Sequence, residues 1–303
     1  MAAGFAPGTN QHNIPELFHT GKHISIDDLK MRDDIRRNEE VQRYLSKTVP
    51  DYPTPVEFHV TEVSHVTNMG SVQKIFNSGG FIGHDPNSLS WWSLKINEAD
   101  IQAAEERYLE SEGLTTDHQP FLSQFTTSPA FDNETSRYGN FRFTFPLTEL
   151  MEAYKQQMCD GQEPVLRVYG TKLFKKKIEY IILVHSPQAS SLPELTSSPC
   201  VDYDGNRIVW RAQAICETHN FQLLKIGNQA VIQQLQRNNA EFYVWDQVSL
   251  VFYTSKVLSF PKRKLKDIYT YCKLPVDTKL NLSKDKNRSC DEADKFIKSL
   301  PDE

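Results

Sequence analysis

The chain has 303 residues, enough to bury a hydrophobic core without disulfide or metal staples. Lys and Arg number 34 against 39 Asp and Glu, a formal net charge of −5, which excludes a uniformly basic nucleic-acid binder but leaves room for local basic patches. Charged residues at 24% and apolar ones at 39% exclude a fibrous or wholly disordered chain, and no apolar run approaches membrane-spanning length.

Residues 1–22 mix Gly, Pro, Asn and His without hydrophobic period and read as a loose arm. They lack the basic and apolar regions of a signal peptide, and they are not Arg-rich. The five cysteines are scattered and never spaced C-x-x-C, as expected of reduced thiols, so a cytoplasmic or nuclear protein is expected. Residues 25–46 are charged with a thin apolar stripe (Leu29, Met31, Ile35, Val41, Leu45), which predicts one or two surface helices capped at Ser25. The prolines of 51–55 end them.

Alternation of Val56, Phe58 and Val60 predicts a strand over 56–63. Thr67 or Asn68 then caps a helix with Met69, Val72, Ile75 and Phe76 on its buried face and Gly79 as its stop. A strand over 88–96 follows, then a helix over 97–113 between Asn97 and Gly113. Residues 114–140 read as loop, 141–147 as strand and 147–158 as helix. Strands at 163–170 and 178–186 are joined by a basic connection, TKLFKKK. The Ser/Pro-rich stretch 186–200 is the best candidate boundary. Beyond it, 206–217 and 221–226 read as strands, 227–239 as helix, and 241–258 as one or two strands.

Strands and helices mix without strict βαβ alternation. The fold class expected is therefore α+β, with a mixed or mainly antiparallel central sheet flanked by helices. The organisation expected is an arm with surface helices over 1–50 and an α+β domain over 51–278 with a candidate sub-boundary at 187–203. A charged, disordered tail completes it over 279–303, with a final helical turn at 291–299 as the alternative for its end.

Metal chemistry has no foothold: the nine His are dispersed, and neither H-E-x-x-H nor C-x-x-C occurs. Phosphate-cradling and nucleophile-elbow motifs are also missing. Two basic runs could meet nucleic-acid or nucleotide phosphates: Lys172, Lys175, Lys176 and Lys177, and then Lys262, Arg263 and Lys264. A solvated hairpin turn and a solvated face are the plain readings of the same runs.

The block FHVTEVSHVTNMGSVQKIFNSGGFIG (58–83) places a His in a strand, then a polar turn, a helix and a Gly-Gly stop. With Glu179-Tyr180 opening a late aliphatic strand, this resembles the ADP-ribosyltransferase superfamily, with its DarT-like, tRNA 2′-phosphotransferase-like and PARP-like branches, over about 55–187. The resemblance implies NAD as substrate. It implies that His59, with Thr61, orients a ribose, and that Glu179 stabilises the oxocarbenium-like charge formed as the nicotinamide–ribose bond breaks. Trp91, Trp92 or Tyr138 would wall the nicotinamide, and ADP-ribose would pass to a protein or nucleic-acid acceptor. The alternative is a non-enzymatic α+β module that binds a protein or RNA partner through the basic runs.

Overall fold

The amino-terminal residues that read as a loose arm form a hairpin. β1 (Ala6–Thr9) pairs antiparallel with β2 (Pro15–Thr20), and β2 pairs in turn with a long strand of the main sheet. Phe5 anchors the segment, edge-on to His19 and under the Arg32 guanidinium. The computed structural model describes residues 4–10, 14–83, 88–116, 120–189, 195–237, 239–274 and 282–301, with side chains in the last stretch from residue 290.

The charged stretch folds as three short helices, α1 (Ile26–Met31), α2 (Asp33–Arg36) and α3 (Glu39–Leu45), and Ser25 and Asn38 cap the first and third through their side chains. The expected strand over 56–63 is two strands. β3 (Val56–Val60) and β4 (Glu62–Thr67) meet at Thr61, where the chain passes from one sheet to another. α4 (Met69–Ser78) follows with the expected cap and stop: Asn68 accepts from Ser71 N, and Gly79 takes a left-handed φ of 72°.

After β5 (Gly80–Phe81) come β6 (Leu89–Lys95) and α5 (Glu98–Glu112), the latter started by a reciprocal Asn97–Asp100 capping box. β7 (Phe141–Pro146) runs into α6 (Leu147–Met158). β8 (Val165–Phe174) and β9 (Lys177–His185) form a hairpin. Most of the expected basic connection is therefore strand, and only Lys175 and Lys176 turn, with Lys175 at φ 53°.

β10 (Val201–Tyr203) and β11 (Ile208–Ala212) join β3 in a three-stranded sheet. β12 (Phe221–Ile226) and β13 (Gln229–Gln234) make a hairpin turning at Gly227, φ 63°. β13 replaces the helix expected over 227–239. Ala230 and Ile232 alternate inward, so a period of two won over helix propensity.

β14 (Trp245–Tyr253) lies in the middle of the nine-stranded sheet, so the chain beyond 203 completes the same sheet. β15 (Leu258–Ser259) pairs with β5, α7 (Lys262–Asp267) follows, and β16 (Tyr269–Tyr271) closes the sheet edge. α8 (Leu282–Ser299) replaces most of the tail expected to be disordered over 279–303, of which 279–281 and 302–303 lie outside the described residues. Buried Ala293 and Ile297, with Phe296 against Phe76 of α4, form the narrow stripe that holds it.

The strand order of the main sheet is β1-β2-β8-β9-β14-β6-β4-β7-β16, with β9 and β14 parallel and the other pairs antiparallel. The class is α+β with a mixed, mainly antiparallel sheet. One face carries the main core, in which Trp92, Phe81, Phe143, Phe145 and Phe252 pack edge to face. The other carries a small cluster of Leu89, Ile181, Leu183 and Val251 under Phe18 and Tyr253. Near the start of β14, Asp246 is fully buried and accepts backbone N–H groups of Gln213 and Ala214, and burial pushes its carboxyl up to about 7. No helix among the described residues is long and apolar enough to cross a membrane.

Candidate functional site

β4 and β6 pair only from Glu62–Lys95 to Ser64–Ser93. Beyond Ser64, β4 stays with β7 as far as Thr67, while β6 stays with β14 as far as Leu89. Two neighbours that keep their outer partners but part from each other open the sheet. His65 reaches across the gap, its Nδ1 2.9 Å from the Trp91 carbonyl oxygen. A carbonyl only accepts, so Nδ1 is the donor of this bond.

A cleft of about 920 Å³ occupies this opening. Its first wall is the end of β4 and the start of α4, from Ser64 to Asn68 with Ser71 and Lys74. The opposite wall is Ser90–Ser93 of β6. Glu179, Ser249 and Lys172 lie at its deep end, Tyr138 also lines it, and Thr9, Asn10 and Glu16 of the amino-terminal hairpin complete it. Directly paired strand residues share a face, so Lys172 and Glu179 point the same way, as do Ser249, Ser93 and Ser64. Gly139 lets the Tyr138 loop touch the end of β4: at φ 148°, a Cβ there would lie 2.1 Å from the Thr67 carbonyl oxygen.

Glu179 is 2% exposed and doubly clamped. Its Oε2 lies 3.1 Å from Lys172 Nζ and 3.0 Å from Lys177 Nζ, and its Oε1 accepts from Ser249 Oγ at 2.5 Å. Burial alone would push this carboxyl up. The Lys172 and Lys177 ammonium groups and the Ser249 hydroxyl outweigh it and hold the acid well below the usual carboxylate range. Burial likewise acts to lower Lys172, but Glu179, Tyr138 and Glu16 raise it well above an ordinary lysine. Both groups stay ionised at neutral pH. Lys172 also sits 5.0 Å from the centroid of the Trp91 ring, which is 37% exposed.

The structure brings Glu179, Trp91, Trp92, Tyr138 and Lys172 to one cleft, as lining residues. Trp92 contributes mainly to the core: it is 1% exposed, its Nε1 donates to Ser90 Oγ at 3.1 Å, and adjacent strand residues face opposite sides. His59 and Thr61 are not there, which corrects the expected pairing of His59 with Glu179. His59 lies in the β10–β11–β3 sheet with its ring 2.7 Å from Glu57, and Thr61 is exposed at the strand switch. The residue that lines the cleft is His65, in a second His-Val-Thr at 65–67 that runs directly into α4.

The first basic run is mostly consumed by ion pairs, which corrects its reading as a phosphate-contacting surface. Lys172 and Lys177 clamp Glu179; Lys176 pairs with Glu217 at 2.6 Å and covers the Phe242 ring; Lys175 is half-exposed near Glu40. Lys262, Arg263 and Lys264 lie on α7, outside the cleft lining, and Lys264 pairs with Glu149 at 2.5 Å.

Among the described residues, no cluster of three or more His, Cys, Asp or Glu side chains could hold a metal ion. Compared with known proteins, the chain matches no family model, no curated protein and no solved structure.

Proposed function

We propose that the cleft binds NAD and that the protein is an ADP-ribosyltransferase-like enzyme acting on a protein or nucleic-acid acceptor. The observation that carries this reading is the opening of the sheet between β4 and β6. It gathers a His-Val-Thr strand running into a helix, an exposed tryptophan face and a buried, ionised glutamate around one cavity.

Breaking the nicotinamide–ribose bond sends the bonding pair to nicotinamide, which leaves neutral, and builds positive charge at the anomeric carbon. The acceptor nucleophile then bonds to that carbon and gives up its proton. A fixed carboxylate in a water-poor site stabilises the developing charge, and Glu179 is held ionised for that role. The His65 imidazole suits a ribose hydroxyl, and the part-exposed Trp91 ring suits a planar ring.

One observation favours a binder instead: both oxygens of Glu179 face internal groups, Oε1 on the Ser249 hydroxyl and Oε2 beside two ammonium groups, although Oε2 accepts no hydrogen bond. Nicotinamide release from labelled NAD separates the two readings, run beside Glu179→Gln with folding checked by circular dichroism. Release that disappears in the folded variant supports the transferase. NAD binding without release supports a degenerate, non-cleaving transferase cleft, and neither binding nor release overturns the transferase reading in favour of a module that binds a protein or RNA partner.

A further inference from the structure

The amino-terminal hairpin does more than extend the sheet edge. β2 pairs with β8 so that Phe18 lies opposite Lys172. Glu16, two residues before Phe18, shares that face, and diagonal neighbours of this kind are within reach of long side chains. Its Oε2 is 3.8 Å from Lys172 Nζ, and both side chains are largely buried, 17% and 14% exposed. The Lys172 ammonium therefore stands between two carboxylates, 3.1 Å from Glu179 and 3.8 Å from Glu16, with the Trp91 ring beside it.

We propose that Glu16 is a positioning residue of this cleft, acting through Lys172 to set how much of the Glu179 carboxylate remains for a bound ligand. This rests on the transferase reading. Glu179 Oε2 lies beside the Lys172 and Lys177 ammonium groups but accepts no hydrogen bond, so it is the oxygen left for a ribose hydroxyl, and the Lys172 charge beside it sets how much of the carboxylate that hydroxyl meets. A second carboxylate on the far side of Lys172 gives that ammonium somewhere to turn. Without Glu16 the ammonium has Glu179 as its remaining anionic partner at this point. The carboxylate is then more fully neutralised and offers less to a cationic transition state. The hairpin is so placed that this partner comes from residues 15–20, far in sequence from the strands bearing Lys172 and Glu179.

The test compares Glu16→Gln and Glu16→Asp with the wild type, using the full chain. The amide keeps the shape and removes the charge, whereas Asp keeps the charge at shorter reach. Glu16→Gln is expected to lower kcat for nicotinamide release about tenfold with KM within about twofold, because the interaction removed acts on the transition state. Glu16→Asp is expected to recover most of the loss. A merely structural role would lower the melting temperature of both variants alike and leave kcat of the folded fraction unchanged. Wild-type kcat in Glu16→Gln, a change confined to KM, or equal loss in Glu16→Asp overturns the proposal.

A second arm needs no turnover. A double-mutant cycle of Glu16→Gln and Lys172→Met on urea unfolding of the ligand-free protein measures the coupling of the pair. Coupling indistinguishable from zero overturns the proposal even where NAD is cleaved. Clear coupling in a protein that neither binds nor cleaves NAD refutes the transferase reading, and with it any role of Glu16 in turnover.

Discussion

The clamp on Glu179 gives the sharpest test of how the site is held. Lys172→Met and Lys177→Met each remove one of two ammonium groups placed about 3 Å from a buried carboxylate. Removing the sole partner of a buried charge costs about 3–5 kcal/mol. Here the second ammonium and Ser249 remain, so each single substitution should cost less, about 1–3 kcal/mol. The double substitution strands the carboxylate and should cost more than the two singles together, because the sites share one partner. Adding Glu179→Leu removes the stranded charge, so the triple variant should recover much of that loss. Urea unfolding at pH 7 reads these differences as midpoint shifts at constant slope. The sign with pH is fixed: a carboxyl held low in the folded state contributes stability that is present above its unfolded value of about 4.3 and is lost as pH falls. The gap between wild type and the double variant should narrow below about pH 4. Single variants indistinguishable from wild type, or a triple variant no more stable than the double, would refute the clamp.

If the cleft works as proposed, His65→Ala should reduce nicotinamide release by about a hundredfold, the scale of losing a transition-state hydrogen bond, while His59→Ala stays within twofold. Equal effects of the two would place the ribose elsewhere. Trp91→Ala should weaken NAD binding about tenfold by calorimetry, or about 1.4 kcal/mol, with little change in melting temperature. Trp92→Ala should cost about 3–5 kcal/mol of stability, because its ring fills the core. Asp246, raised to about 7 by burial, loses stability as pH rises toward 7, since the unfolded chain ionises first. The melting temperature of Asp246→Asn relative to wild type should therefore increase from pH 5 to pH 8, and a constant difference would show that this carboxyl does not titrate in that range.

The helices beside the site were readable because their ends carry chemistry. Asn68 and Gly79, and Asn97 and Gly113, bound α4 and α5 as their side chains and backbone freedom require. The strand switch at Thr61 was harder, although its trace is in the sequence. Val56, Phe58 and Val60 share one parity, and Val63 and Thr67 take the other, so no single strand can bury all five. Reading 56–63 as one strand hides that break and passes over the second His-Val-Thr, whose His65 lines the cleft. The second abuts the helix cap, which is the local signal that distinguishes them. β13 was lost for another reason: its Gln-rich sequence suits a surface helix, and only the Gly227-Asn228 turn and the inward Ala230 and Ile232 declare a hairpin.

The lysine run shows how composition and pairing can give opposite meanings to the same residues. As a string, TKLFKKK is a basic patch. Once Lys175 and Lys176 are taken as a two-residue turn, register places Phe174 opposite Lys177, Leu173 opposite Ile178 and Lys172 opposite Glu179. A cross-strand cation directly beside a buried carboxylate is an internal partner before it is a surface charge. Lys176 then finds Glu217, and of the four lysines only Lys175 keeps half its side chain in solvent. The run that could meet nucleic-acid phosphates therefore spends most of its charge on partners within the protein, on Glu179 above all. What it supports is an ionised glutamate in a closed setting, and the choice of acceptor must rest on residues beyond this hairpin.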